Sequence, residues 1–261
     1  MDISYLGLGL SALLLVFPLL IFFHLKLNLT RQLFYSYGRM IVQLALIGLI
    51  LQFIFGQMNL WITLLWILIM LANAIFTLRG RLKFHRKILL PIIAMSLVFT
   101  SLVIMPWVLI LVVSPDPWFD PKYAIPIYGM ILGNSMNSCA LALERFESGL
   151  TDNWRAYYTR LSLGASLWEA ILPPFKRAMQ AALMPQLLTI ASIGLVSLPG
   201  MMTGQILGGS SPLVAIKYQM MIMFSIFSGV TLTDYVAIRL YLKRRFDSYF
   251  LPLEDTSAPN L

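Results

Sequence analysis

Seven stretches of this chain are each apolar over about the 20 residues a helix needs to cross a bilayer. They fall at residues 5–25, 39–55, 60–78, 88–113, 123–143, 187–207 and 213–240. A water-soluble fold has too little interior to hide that many apolar runs. The composition agrees: 59% of residues are hydrophobic and 11% charged, against about 25% charged in an ordinary soluble domain. The expected class is therefore an all-α integral membrane protein with seven transmembrane helices. The sixth stretch carries Pro199-Gly200 inside it, where a proline removes a backbone hydrogen bond and bends or breaks the helix. The first run lacks a basic segment before it and follows Asp2, so it reads as a retained helix and not a cleaved signal.

The connectors alternate in charge. His24, Lys26 and Arg31 precede the second stretch, and the second connector has no charge. Arg79, Arg81, Lys83, His85, Arg86 and Lys87 fill the third without an acid. The fourth carries Asp116, Asp120 and Lys122, the long fifth has five basic residues, and the sixth is uncharged. Lys243, Arg244 and Arg245 follow the seventh. Basic loops face the cytoplasm, which puts the N-terminus outside and the C-terminus inside, as an odd number of spans requires. The net charge of +8 is then a record of topology, and a nucleic-acid partner is excluded. The expected layout is one permease domain over residues 1–250 and a flexible tail over 251–261. Cys139 is the single cysteine. It forms no intrachain disulfide and reads as a packed residue, with metal ligation the less expected alternative.

The fifth connector, residues 144–184, is too polar to span. Thr151 or Asp152 can cap a helix running to about Leu163, and Gly164 suits the helix end. Ser166 and Glu169 have the spacing of a capping box around a second helix. Pro173-Pro174 is expected to end that helix almost at once, with an amphipathic segment over 175–183 leading back to the membrane. Such a segment lies on lipid headgroups or plugs into a partner protein, and composition does not choose between them.

Residue identities add a resemblance. The run Leu161-Ser-Leu-Gly-Ala-Ser166, with Ala170, Arg177 and Pro185, is similar to the EAA-type loop of ABC transporter permeases, although the glutamate that names that motif is absent. Three further blocks resemble the FetB iron-export permease family, which includes plant proteins linked to aluminium tolerance: residues 38–44, 125–134, and 194–204 followed by 215–220. The resemblance implies a permease of the bacterial inner membrane, a homodimer working with a separate ATPase subunit that holds the ATP. It implies iron or another small substrate and no cofactor on this chain. It makes Leu161, Leu163, Gly164, Ala165, Ser166, Trp168 and Glu169 the ATPase-coupling residues. No G-x-x-x-x-G-K-[ST] phosphate loop, H-E-x-x-H or G-x-S-x-G pattern is present, so the chain is not expected to be an enzyme.

Polar residues inside spans are costly. Arg39 and Gln43 share a helix face, and Asp234 is the one acid in any span. Arg39 either snorkels to the headgroups or pairs with Asp234. Met130, Asn134 and Asn137 share a face of the fifth span, where Gly129 and Gly133 permit close helix approach. Asn134 and Asn137, and likewise Asn73, either bond to neighbouring helices or line a path. In the sixth stretch, Met201, Met202 and Gln205 accompany Gly200, Gly204 and Gly208. Broken helices line substrate sites in transporters, and tight dimer packing is the alternative. The candidate translocation path is Arg39, Gln43, Asn134, Asn137, Met201, Met202 and Gln205. The 15 methionines are soft ligands better suited to copper than to iron, so no metal site is read from them. The competing functions are an ABC permease for another metal or a nucleotide sugar, a self-sufficient secondary transporter, and a membrane assembly protein without transport.

Overall fold

The computed structural model describes residues 4–81 and 86–246. The expectation of a flexible tail over 251–261 lies outside them, as do the placements of Lys83 and His85. The described residues are mostly helical and include no strand, with an isolated bridge between Ile193 and Ser197. They divide into two compact units, Met1–Gln57 and Met58–Leu261.

The first unit holds α1 (Tyr5–Ala12), a 3-10 turn (Leu13–Leu15), α2 (Val16–His24) and α3 (Thr30–Gln57). Ser4 caps α1 by accepting from the Gly7 N–H at 3.1 Å. The continuous stretch Leu6–His24 has a mean hydropathy of 2.6 and no buried residue. Such a stretch is long and apolar enough to cross a membrane.

The second unit holds α4 (Leu60–Arg81), α5 (Arg86–Pro106), a π-helical segment (Trp107–Val113), α6 (Pro121–Thr151), α7 (Trp154–Ser162), α8 (Leu167–Ser192), α9 (Gly200–Leu207) and α10 (Pro212–Arg245). Its centre is α6, which packs against α10, α8 and α4. The contact with α10 is close because Gly229 has no side chain: a Cβ there would sit 3.0 Å from Ile131 Cγ2. Gly129 does the same towards α4, where a Cβ would meet Met70 Cε at 3.0 Å. The helices carry an outward apolar skin that includes Trp61, Leu102 and Phe224.

Five described helical stretches are long and apolar enough to cross a membrane: Leu6–His24, Thr30–Gln57, Leu60–Leu78, Ile88–Val113 and Pro212–Arg245. The first four coincide with expected spans one to four, and the last contains span seven. The fifth expected span lies inside α6, whose 31 residues make it about 46 Å long. That exceeds the roughly 30 Å of a hydrocarbon core, and α6, with Asn134, Ser135, Asn137 and Ser138 in its middle, is not among the five stretches apolar enough to cross.

The sixth expected span is corrected. Residues 187–207 are not one helix. α8 ends at Ser192, the backbone is extended at Ile193 and left-handed at Gly194 (φ 94°), and α9 begins after Pro199. The helix covering the first part of this stretch is α8, which begins twenty residues earlier than the expected span, and neither α8 nor α9 is among the helices apolar enough to cross a membrane. Ser138 meets the Ala182 carbonyl and Asn134 meets Gln186, so α8 runs antiparallel to α6 along most of its length.

A second correction concerns Pro173-Pro174. These prolines do not end a short helix; α8 continues through them and through Pro185. A proline at position 174 frees the carbonyl of Ala170, and that carbonyl accepts from Arg160 Nη1 of α7 at 3.1 Å. The helix survives because a side chain outside it takes the orphaned acceptor.

Candidate functional site: the coupling turn and its aromatic hub

The turn between α7 and α8 is built by local chemistry. α7 ends in a Schellman arrangement, with the Gly164 N–H bonded to the Leu161 carbonyl at 2.9 Å and the Ala165 N–H to the Arg160 carbonyl at 3.0 Å. Gly164 has φ 89°, a conformation that costs a residue with a Cβ about 1–2 kcal/mol. Two residues later Ser166 opens α8. Its hydroxyl accepts from the Glu169 N–H at 3.3 Å, and its own N–H donates to Glu169 Oε2 at 2.8 Å. The expected capping box is therefore present. Donation from the Ser166 backbone, then from its hydroxyl, holds the Glu169 carboxyl below its usual range. The expected caps at Thr151 and Asp152 are not used. Asn153 precedes α7 without a side-chain cap, and the Thr151 hydroxyl donates back to the Glu147 carbonyl at 3.1 Å.

The turn presents an apolar tip. Leu163 is 83% exposed, and Gly164, Ser166 and Glu169 are exposed beside it. Leu161, Ala165 and Trp168 are half-buried and anchor the turn. Arg239 of α10 lies over the Trp168 ring at 4.6 Å, Trp168 packs edge-on to Phe175 at 5.2 Å, and Phe175 meets Tyr235 at 5.9 Å. On the other side Trp154 stacks with Tyr158 at 5.7 Å and meets Phe246 at 6.5 Å. All seven expected coupling residues thus sit on one continuous surface element, tied through aromatic rings to α10.

Beneath this hub is a buried charge cluster that the sequence reading did not pick out. Arg245 Nη2 pairs with Glu147 Oε1 at 3.3 Å, and the Tyr241 hydroxyl donates to Glu147 Oε2 at 2.7 Å. All three are buried. The sequence signal was faint. Glu147 follows Glu144 and Arg145 in an apparently solvated loop, and only the parallel register of α6 and α10, with Ser138 beside Asp234 and Glu147 beside Arg245, shows that it meets Arg245.

Further along the bundle a polar ladder ties the helices together. Gln186 Nε2 donates to Asn134 Oδ1 at 3.0 Å, and Asn134 Nδ2 donates to the Met130 carbonyl at 2.8 Å. The Ser138 hydroxyl donates to Asp234 Oδ2 at 2.6 Å, and the Thr233 hydroxyl to Thr100 Oγ1 at 2.9 Å. Asn134 therefore bonds to a neighbouring helix, and Gln186 is a partner the sequence did not suggest. Asn137 is exposed. Asp234 is fully enclosed with Ser138, while Arg39 and Gln43 lie on α3 in the first unit. Met201, Met202 and Gln205 are half-buried on α9, and the Gln205 carboxamide oxygen is enclosed without a donor. Cys139 is fully buried, and among the described residues no three His, Cys, Asp or Glu side chains converge as a metal site would require.

A family model described as "Uncharacterised protein family (UPF0014)" matches residues 5–246. The chain belongs to this family. Among its relatives, a UPF0014 membrane protein of Synechocystis is 39% identical over 223 residues, covering 85% of this chain and 86% of its own. The "Probable iron export permease protein FetB" of Escherichia coli is 32% identical over 247 residues, 95% of this chain and 94% of the relative. "Protein ALUMINUM SENSITIVE 3" of Arabidopsis thaliana is 35% identical over 210 residues, 80% and 75%. The resemblance read from the three sequence blocks is thus established over most of the chain, and the chain is a membrane protein of a family that contains a named permease. No solved structure matches it.

Proposed function

We propose that this chain is the membrane-spanning permease subunit of an ABC transporter that moves iron out of the cell, driven by a separate ATPase subunit and working as a permease homodimer in a bacterial inner membrane. The observation that carries the proposal is the α7–α8 turn. It is a short, doubly capped element with an apolar tip, and its base is locked to α10 through Trp168 and Arg239. A loop that only covered lipid headgroups would need neither the fixed geometry nor the aromatic connection to a bundle helix. The Escherichia coli relative, named an iron export permease, supplies the substrate class.

Asp234 is the acid that an ion-coupled carrier would need within its spans. Its enclosure against Ser138 favours an energy source outside the chain. The break between α8 and α9 leaves the Gln205 oxygen enclosed without a donor, a position from which it could ligate a passing cation. That supports a path along α9 with Met201 and Met202 beside it. Arg39, Gln43 and Asn137 complete the proposed path. An Arg39–Asp234 pair is tested by exchanging the two charges. Activity lost in each single variant and absent from the exchange would remove the pair.

The decisive experiment reconstitutes the chain with a candidate ATP-binding subunit from the same organism and measures ATP hydrolysis with and without ferrous iron. Iron-stimulated hydrolysis that disappears in Gly164→Val and Ser166→Ala variants supports both the coupling turn and the substrate. A stable complex without stimulation by iron would overturn the substrate. No complex at all would overturn the ABC assignment.

A further inference from the structure

A groove of about 640 Å³ lies on an exposed apolar side of the second unit, between the π-helical segment and the first half of α10. Its walls are apolar, with Trp107, Val112, Met220 and Phe224 among them, and Lys217 is its one charged residue. The volume falls within the range of about 300–1,000 Å³ typical of small-ligand pockets. A smooth helix pair would leave only a shallow seam here. The groove runs beside the π-helical Trp107–Val113, whose last bond goes from the Ser114 N–H to the Leu109 carbonyl at 2.9 Å. Short π-helical insertions are rare and concentrate at functional positions.

The order of groups along the groove matches one molecule. α5 and α10 are antiparallel, fixed by the Thr100–Thr233 bond, so Val112 and Lys217 share the shallow end and Val103 and Ser228 the deep end. Lys217 is five residues from the start of α10, about 8 Å along the axis, next to the uncharged turn at 208–211. Phe224 and Ser228 lie about 10 and 16 Å further along. A bilayer leaflet contributes about half of the roughly 30 Å hydrocarbon core. The groove is thus one leaflet deep, cationic at headgroup level and apolar below.

We infer that this groove binds one anionic phospholipid, with its phosphate on Lys217 and an acyl chain laid along Trp107, Met220 and Phe224. A zwitterionic lipid offers the same chain but adds a cation beside Lys217. A second copy of this chain would have to bring an acid to Lys217 at membrane depth, and no acid lines the groove to be paired in return.

The test is native mass spectrometry of the full-length protein purified in mild detergent. It is titrated with phosphatidylglycerol or with phosphatidylcholine of identical chains. The expected result is one phosphatidylglycerol held at least roughly fivefold more tightly than phosphatidylcholine, the factor a single basic residue near an anionic headgroup supplies. Lys217→Gln removes the preference, Lys217→Arg keeps it, and Ser228→Trp, which fills the deep end, weakens both lipids. Equal retention of the two lipids by the wild type, or a preference that survives in Lys217→Gln, would show an annular lipid only and overturn the inference. So would a disulfide formed between two copies carrying Phe224→Cys, since the groove would then be covered by protein.

Discussion

Removing the Glu147 carboxylate leaves the Arg245 guanidinium buried, with Arg245 only 4% exposed, and leaves the Tyr241 hydroxyl without its acceptor. Breaking one partner of a buried pair costs about 3–5 kcal/mol. At about 2–4 °C per kcal/mol for a chain of this size, Glu147→Ala should lower the melting temperature of the detergent-solubilised protein by roughly 6–20 °C. The reasoning makes a second, sharper claim. The triple variant Glu147→Leu, Tyr241→Phe, Arg245→Met removes both charges and the hydroxyl while keeping volume, and buried ion pairs replaced in this way are often neutral or better. Its melting temperature should lie closer to wild type than that of Glu147→Ala alone. The assay is a fluorescence-detected melt of all single and combined variants, read as a mutant cycle. Single effects that simply add would refute the idea that these residues act as one buried unit.

Arg160→Met should cost about 1–3 kcal/mol by leaving the Ala170 carbonyl without its donor, seen as faster amide exchange around Pro174. Gly229→Val should destabilise by about 1–3 kcal/mol through the clash with Ile131, measured by the same melt, with Gly133→Ala as a near-neutral control because nothing lies within 4 Å of that position. The Glu169 carboxyl is held down by its bonds from Ser166, so its contribution to the α8 cap is full above the usual glutamate range and is lost as pH falls through the depressed value. The protection of the Ser166 amide, taken relative to its intrinsic exchange rate at each pH, should therefore fall on acidification, and Glu169→Gln should remove that fall.

Local signals were the most legible. The Gly164 turn and the Ser166–Glu169 box are encoded within three or four residues, so no distant contact was needed to read them. The prolines at 173 and 174 misled for the opposite reason. Their effect depends on whether a freed carbonyl finds a donor, and the donor is Arg160, ten residues before Ala170 and on another helix. The polar character of residues 144–184 concealed α8 in the same way. Lys176 and Arg177 lie on its exposed side while Ala178 and Ala182 are buried against the bundle, a pattern that an average over the segment erases. Gln186 and the Glu147–Tyr241–Arg245 cluster were missed because their partners are 52 to 98 residues away in sequence.

The continuous run of α8 has a mechanical consequence. From Leu167 beside the exposed turn to Gln186 the helix is continuous over about 29 Å, and Pro173, Pro174 and Pro185 are the points where its hydrogen-bond ladder is interrupted. A displacement of the turn would be carried along this one helix to the Asn134–Gln186 contact, with bending concentrated at those prolines and at the non-helical stretch at 193–199. A flexible insertion placed after Ala178 should leave the two ends intact and disconnect them.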